Sequence, residues 1–235
     1  MIYKETYRKL KKNIIIVESK EEMLEIPSTF LRFDPHPYQL LNAPYGDKSP
    51  FFLREDVLRR LKLAQEKLLL LKRGYKLKIF DAYRPLEVQS FMIEHDKNRL
   101  SLEMFDTAFD KLTKEKQDEV VSIVLSFWSP ISKDAALNPP PHSTGGALDL
   151  TIVDADGIAL DMGTQVDELT EASASDFYKD SNNLYEKNRD LLKEVMSFAS
   201  FTQLPTEWWH FSYGEQIWAI DNNTKAKYGI YIKSV

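Results

Sequence analysis

The chain has 235 residues, of which 43% are hydrophobic and 29% charged, and its formal net charge is −5. This size allows a large buried core in one large domain or two small ones, and the acidic balance excludes the cationic surface that nucleic-acid binding requires. With no cysteine, disulfides, thiolate nucleophiles and cysteine-ligated metal sites are excluded, so a metal site has to use His, Asp or Glu.

The N-terminal half is predicted to form helices around a short strand, after an irregular segment over residues 26–52. Apolar residues recur every three or four positions from Arg54 to Leu71, as on the buried face of a helix. Pro85 suits the first turn of another helix. In chain order we predict a strand over 12–17, a helix over 54–71, a strand from about Leu77 to 80–83, and helices over 85–97, 101–112 and 114–127.

The C-terminal half is predicted to contain most of the sheet. Prolines and glycines make residues 138–146 a stiff loop. The following elements are a strand over 147–153, a turn over 154–157, an antiparallel return over 158–160, a helix over 182–199, and strands over 208–213 and 226–233. Because helices are mixed with hairpins, we expect an α+β fold with a mainly antiparallel central sheet flanked by helices.

His142 and Asp149 form the first candidate for a metal site. His142 lies on the stiff loop, where Gly145 and Gly146 permit a backbone reversal toward the next strand. Strand alternation places Asp149 on the face opposite the apolar one. An imidazole nitrogen together with a carboxylate oxygen suits zinc. The alternative is a solvent-facing Asp and a His that caps a loop.

Glu207 and His210 form the second candidate, in a run of aromatic residues that indicates a strand. Residues three apart point to opposite faces of a strand, so the two cannot both be ligands unless the strand bends. A catalytic zinc takes three protein ligands and leaves a position for water. His210 as a ligand with Glu207 as the base for that water satisfies both conditions. The alternative is a core strand with an incidental histidine.

Arg84 follows a predicted strand and precedes a helix. It can pair with Asp81 in a purely structural role, or it can donate hydrogen bonds to an oxyanion.

Together these segments resemble the zinc D,D-peptidases, and most of all the VanX-type D-alanyl-D-alanine dipeptidases. The matching residues are DAYRP (81–85), HSTGGALDLT (142–151), MGTQVDE (162–168) and EWWH (207–210). The resemblance extends over most of the chain and implies a single catalytic domain over 1–235, with a hedgehog/D,D-peptidase-like fold. It also implies hydrolysis of D-alanyl-D-alanine or a similar small D-amino-acid dipeptide.

The resemblance also implies roles for individual residues. One zinc ion per chain would be held by His142, Asp149 and His210, with Glu207 as general base. Arg84 would stabilise the tetrahedral intermediate. The substrate residues would be Asp167, which matches the carboxylate that holds the free amino group, and Tyr38, which lines the substrate pocket.

One departure concerns specificity. The family usually has serines just before the first zinc histidine, where they help to bind the dipeptide, and this chain has Pro140 and Pro141. This departure leaves the exact dipeptide substrate open.

Two alternative functions also stay open. One is a peptidoglycan D,D-carboxypeptidase or endopeptidase with an open cleft, and the other is a non-catalytic zinc binding module.

The N-terminal region carries no predicted targeting signal. Its longest apolar run, residues 14–17, is followed by charged residues. It is shorter than the roughly 7–15 apolar residues of a signal peptide and the roughly 20 of a membrane span. We therefore expect a cytoplasmic enzyme whose partner is a small dipeptide, with no nucleic-acid or membrane partner.

Overall fold

A computed structural model describes residues 2–131 and 133–231 of the chain. The strands are β1 (Met23–Glu25), β2 (Leu31–Arg32), β3 (Phe52–Arg54), β4 (Lys76–Asp81), β5 (Ala147–Val153), β6 (Thr202–Gln203) and β7 (His210–Ser212). The α-helices are α1 (Ile2–Lys11), α2 (Pro37–Leu40), α3 (Glu55–Leu71), α4 (Leu86–Phe105), α5 (Lys114–Phe127), α6 (Leu184–Phe198) and α7 (Gln216–Asp221).

A five-stranded sheet lies at the centre, in the order β2-β4-β5-β7-β6. The β2–β4 pair is parallel, and the β4–β5, β5–β7 and β6–β7 pairs are antiparallel. Strands β1 and β3 form a separate antiparallel pair. This arrangement confirms the expected α+β fold with a mainly antiparallel sheet. The assignment of residues 1–235 to one domain stays a prediction.

The hydrophobic core covers both faces of β5, whose seven residues are all buried. Leu148, Leu150 and Ile152 project from the apolar face into a cluster that includes residues of α3 and α6. A second cluster packs α4 and α5 against residues such as Phe80 and Trp128. The polar face of β5 is therefore enclosed rather than exposed to solvent.

Three predicted elements have the bounds expected from the sequence or differ by one residue: the helices over 54–71 and 114–127 and the strand over 147–153. The predicted helix over 101–112 is wrong, because α4 continues to Phe105 and ends at Asp106, whose φ of 50° is left-handed. The predicted strand over 12–17 is also wrong. Only Ile16 pairs there, in an isolated bridge with Ala226.

The last predicted strands are shorter than expected. The strand over 208–213 begins only at His210, because residues 207–209 form a turn. The strand over 226–233 is wrong in its described part, where Ala226 forms only the isolated bridge. Residues 232 and 233 lie outside the described residues. The return over 158–160 is reduced to one bridge between Ala159 and Val153.

Candidate metal centre and active site

Three polar residues form a row across the middle of the sheet. Asp149 on β5 is paired with Asp81 of β4 on one side and with His210 of β7 on the other. The register between β4 and β5 is irregular between Ile79 and Asp81. Backbone pairing therefore fixes the positions of a carboxylate and an imidazole before any side-chain contact is considered.

The loop before β5 brings His142 to this row. Residues Pro141–Thr144 form a single 3₁₀ turn, and Gly145 follows with φ +72°, a left-handed conformation that favours glycine. At Gly146 an added Cβ would lie 2.8 Å from the Tyr213 carbonyl oxygen. The two glycines thus allow a tight reversal directly into β5, as expected from the sequence.

The two imidazoles and the carboxylate converge on one point. The distance from His142 Nε2 to His210 Nδ1 is 3.1 Å, and the distance from Nε2 to Asp149 Oδ2 is 3.3 Å. The distance from His210 Nδ1 to Asp149 Oδ1 is 3.0 Å. Tetrahedral ligands with metal bonds of about 2.0–2.1 Å lie about 3.3 Å apart. The donor set and its spacing therefore fit a divalent metal ion.

The remaining ring nitrogens fix how the imidazoles are oriented. His142 Nδ1 lies 2.8 Å from the Ala82 carbonyl oxygen, so Nδ1 carries the proton and Nε2 keeps its lone pair for a metal. His210 Nε2 lies 3.2 Å from Ser212 Oγ. Burial alone would raise the pKa of Asp149, but the two imidazoles hold that pKa well below its ordinary value. Asp149 is therefore a carboxylate, as a metal ligand must be.

Glu207 lies beside these three residues but is not one of the residues whose ligand atoms converge. It occupies the turn before β7, with its backbone N–H donating to the Leu204 carbonyl oxygen, and its side chain is buried. Its Oε2 is 3.9 Å from His210 Nδ1, farther than the Asp149 oxygen. The turn replaces the strand expected over these residues and places Glu207 next to the ligand face of His210.

Arg84 is buried and held by several acceptors. Its Nε donates to Asp81 Oδ2 at 2.9 Å, and one terminal nitrogen donates to Gln89 Oε1 at 3.0 Å. The other terminal nitrogen lies 3.5 Å from Asp149 Oδ2 and 3.3 Å from the Tyr38 hydroxyl. The structural pairing with Asp81 is thus present, and the same guanidinium also reaches the metal-ligand row.

Asp81 is the centre of a network that was not expected from the sequence. Besides Arg84, His36 Nε2 lies 3.3 Å from Asp81 Oδ1, and the Tyr45 hydroxyl donates to that oxygen at 3.2 Å. His142 Nδ1 is 3.4 Å from Oδ2. Burial would raise the pKa of Asp81, but Arg84 and His36 lower it below its ordinary value. This carboxylate links Arg84 to a metal-ligand histidine.

Asp167 and Tyr38 are in direct contact. The Tyr38 hydroxyl donates to Asp167 Oδ2 at 2.8 Å, and Asp167 has a left-handed φ of 67°, which Asp tolerates better than most residues. Burial raises the pKa of Asp167 well above its ordinary value, although Arg84 opposes this shift. Asp167 lines the cavity described below, whereas Tyr38 is fully buried behind it.

The loop that carries Asp167 is fixed by long-range hydrogen bonds. Trp208 Nε1 donates to Thr164 Oγ1 at 2.8 Å. Arg189 of α6 donates to the carbonyl oxygens of Met162, Ala172 and Ala174, at 2.7–2.8 Å. The first tryptophan of the segment 207–210 therefore ties the Asp167 loop to the metal centre.

These residues share one cavity of about 310 Å³. Its walls include the three candidate metal-ligand residues together with Glu207, Arg84 and Asp167. A further wall was not expected from the sequence: α1 and the residue after it contribute Tyr7, Arg8, Lys11 and Lys12. The basic character of residues 8–12 is a signal that sequence reasoning could have used, but only tertiary structure places it at the site.

Residues 32–228 match the family described as D-ala-D-ala dipeptidase, Peptidase M15. The D-alanyl-D-alanine dipeptidase of Synechocystis sp. is 37% identical over 201 residues, which cover 81% of this chain and 81% of that protein. The protein of the same description from Escherichia coli K12 is 40% identical over 70 residues, 30% of this chain and 36% of that one. That of Enterococcus faecalis is 28% identical over 139 residues, 59% and 62% of the two chains.

A solved structure of the LdcB LD-carboxypeptidase is also similar, with a TM-score of 0.43 and 15% identity over 90% of this chain and 77% of that one. Among the described residues, no helix has the length and apolar character needed to cross a bilayer. The cytoplasmic location stays a prediction.

Proposed function

The chain belongs to the D-ala-D-ala dipeptidase family of metallopeptidases, and from this premise we propose that it hydrolyses D-alanyl-D-alanine or a similar small D-amino-acid dipeptide with zinc. The observation that carries the proposal is the convergence of His142, Asp149 and His210 beside Glu207 in one small cavity. His142 and His210 are 68 residues apart in sequence, yet their side chains share one cavity with Asp149 and Glu207.

His142, Asp149 and His210 would hold one zinc ion per chain. Their ligand atoms lie within 4.8 Å of one another, and all three side chains are buried. Two imidazole nitrogens and one carboxylate oxygen suit zinc and leave a position for water, although the same donors accept other divalent ions. Zinc is therefore the proposed metal, and metal analysis of the purified protein would identify it.

The chemistry follows from the groups around that position. When bound, the metal supplies an activated water near neutral pH and polarises the scissile carbonyl. Glu207 accepts the proton from the attacking water and passes it to the leaving amine. Its buried position next to His210 keeps the carboxylate within the same cavity as the ligand atoms.

Arg84 would stabilise the negative charge that develops on the carbonyl oxygen. Asp81 and Gln89 hold two sides of the guanidinium, which fixes its plane. The terminal nitrogen nearest Asp149 is then the donor that faces the reacting groups. A preorganised donor of this kind typically contributes about 10²–10³ in rate.

Asp167 would bind the free ammonium group of the substrate, with Tyr38 holding the carboxylate from behind. A charged partner would restore the ionised state that burial disfavours. A substrate without the ammonium would leave the buried Asp167 with its hydrogen bond from Tyr38 but without a substrate cation, so the site would discriminate against blocked peptides.

The size of the cavity favours a dipeptide over a peptidoglycan stem. At about 310 Å³ it lies at the small end of the range for ligand pockets. The D,D-carboxypeptidase or endopeptidase alternative requires room for a longer chain. The non-catalytic alternative does not explain why Glu207 and Arg84 lie beside the metal-ligand residues, because a purely structural metal site needs neither of them.

The test is a metal-dependent assay on the purified chain. The substrates are D,D-, L,D- and L,L-dipeptides and a pentapeptide stem. We expect turnover of free D-Ala-D-Ala that disappears after chelation and returns with zinc. Preferred cleavage of the stem would support the carboxypeptidase alternative. Bound metal without cleavage of any peptide would support the non-catalytic alternative.

A further inference from the structure

The N-terminal helix α1 contributes to the lining of the cavity. Arg8 and Lys11 of α1 line the same cavity as Glu207 and Asp167. This helix precedes residues 32–228, the part of the chain that matches the dipeptidase family. Its contribution to the site is therefore a feature of this chain that the family match does not cover.

Specific contacts hold α1 against the rest of the fold. The Tyr7 hydroxyl donates to Asp221 Oδ1 of α7 at 2.5 Å. Gln216 of α7 donates through its side chain to the carbonyl oxygens of Lys11 and Ile14, each at 3.1 Å. Arg8 donates to backbone carbonyl oxygens at the end of α5, including that of Trp128 at 3.3 Å. These contacts fix the basic residues of α1 at the cavity wall.

Lys11 is an unusual cation because it is buried and, among the side chains that the structure describes, no carboxylate forms a direct ion pair with it. Its exposed fraction is 6%, and its Nζ donates to the Pro139 carbonyl oxygen at 2.9 Å. An ammonium group has three protons to donate, and a buried cation is costly unless it is paired. Burial lowers the pKa of Lys11 to about 8, while Glu215 opposes the shift. An anion in the cavity would compensate this cost.

The cavity lining combines the acidic side chain of Asp167 with two basic side chains of α1, Arg8 and Lys11. Pro141 also lines the cavity and has neither a backbone N–H nor a side-chain donor for an anion. A zwitterionic ligand with an ammonium at one end and a carboxylate at the other matches this distribution.

We infer that Lys11, assisted by Arg8, binds the free C-terminal carboxylate of the dipeptide, so that α1 supplies the second half of the substrate site. This inference rests on the proposed function, since it assigns one end of the same substrate. Lys11 is then a specificity-determining residue. Because charged side chains bind both termini of the ligand, the site accepts a free dipeptide and rejects a chain extended or blocked at its carboxyl end.

The experiment measures binding apart from turnover. The full chain carrying Glu207→Gln is loaded with zinc and titrated calorimetrically with D-Ala-D-Ala and with D-Ala-D-alaninamide, which lacks only the carboxylate charge. We expect the acid to bind about tenfold or more tightly than the amide. Lys11→Met should bring this ratio close to one, and Lys11→Arg should keep most of it. Lys9→Met is the matched control, because Lys9 is an exposed lysine of α1 that does not line the cavity.

A second measurement does not depend on the folding of a variant. Both ligands carry an ammonium group that titrates near this pH, so its pKa is measured for each ligand in solution and its titration is subtracted from the ratio. With Lys11 charged below a pKa of about 8 and neutral above it, we expect the preference for the acid to fall as the pH rises through that value. A ratio that is constant across this range would overturn the inference.

The outcomes separate this inference from the proposed function. An acid-to-amide ratio that Lys11→Met leaves unchanged, in a chain that does hydrolyse D-Ala-D-Ala, overturns the role of Lys11 and leaves the proposed function standing. A ratio that depends on Lys11, in a chain without peptidase activity, supports the carboxylate site and overturns the dipeptidase proposal. Failure of both ligands to bind overturns both.

Discussion

Asp149 and His210 lie directly opposite each other on β5 and β7, and their Oδ1 and Nδ1 atoms are 3.0 Å apart. Their spacing is thus set by the backbone pairing of two central strands. A shift of register by one residue would turn one of the two side chains to the opposite face of the sheet. The candidate metal centre therefore depends on the pairing register of two adjacent strands of the central sheet.

Glu207→Gln should abolish most turnover while leaving the metal in place. The amide keeps the size of the side chain but cannot accept the proton from water, and a general base contributes about 10²–10⁴ in rate. Metal content by mass spectrometry and kcat on D-Ala-D-Ala are the two measurements. A rate close to that of the unsubstituted chain would show that another group is the base.

His210→Ala should remove the metal, because the imidazole provides one of the three candidate ligands that converge in this cavity among the described residues. His95→Ala is the matched control, since His95 lies on α4, away from the cavity lining. We expect full metal content in the control and little in His210→Ala. Full occupancy in both variants would exclude His210 from the ligand set.

Asp167→Asn should weaken binding of the free dipeptide. Loss of the carboxylate removes a charged partner of the substrate ammonium, which is worth about 10- to 100-fold in KM. The preference for D-Ala-D-Ala over its N-acetylated form should narrow by a similar factor. Asp176→Asn, at an exposed position outside the cavity lining, serves as control. An unchanged preference in Asp167→Asn would mean that the ammonium binds elsewhere.

Arg84 should affect both catalysis and stability, because it contacts Asp81 as well as the ligand row. Arg84→Met leaves the buried Asp81 charge without its main partner, a loss of about 3–5 kcal/mol in the free energy of unfolding. Arg84→Lys retains the charge but not the planar set of donors, so we expect higher stability than Arg84→Met and a kcat reduced about 10²–10³-fold. Thermal unfolding and steady-state kinetics on both variants measure the two effects. Wild-type kcat in Arg84→Lys would restrict Arg84 to a structural role.

The pH dependence of stability should report the buried Lys11. Burial lowers its pKa to about 8 in the folded chain, against 10.5 ordinarily. Between these values the unfolded chain holds a proton that the folded chain does not, so stability rises with pH across this window. The contribution is lost as the pH falls through about 8. Thermal unfolding of the unsubstituted chain and of Lys11→Met, compared across that window, should show a difference that moves in favour of lysine as the pH rises. A constant difference would contradict the lowered pKa.

The sequence alone determined those local elements that have a clear apolar pattern, and it restricted the chemistry of the candidate site. Strand β5 was predicted with its observed bounds because apolar residues alternate with Asp149 and Thr151 and glycines precede them. Helix α3 was predicted to within one residue for the same kind of reason, a periodic pattern that neighbouring residues suffice to establish. The scarcity of histidines and the absence of cysteine restricted the candidate metal ligands to a few residues.

Tertiary structure decided what depends on contacts between distant residues. The turn that places Glu207 beside His210 replaces a strand that the aromatic residues favoured, and Trp208 there bonds to Ser173 and Thr164 instead of a neighbouring strand. The burial of Lys11 at the cavity wall depends on contacts with residues more than 100 positions away. Sequence periodicity indicates which face of an element is apolar, but it does not indicate what packs against that face. For this reason the contribution of α1 to the site is visible only in the folded chain.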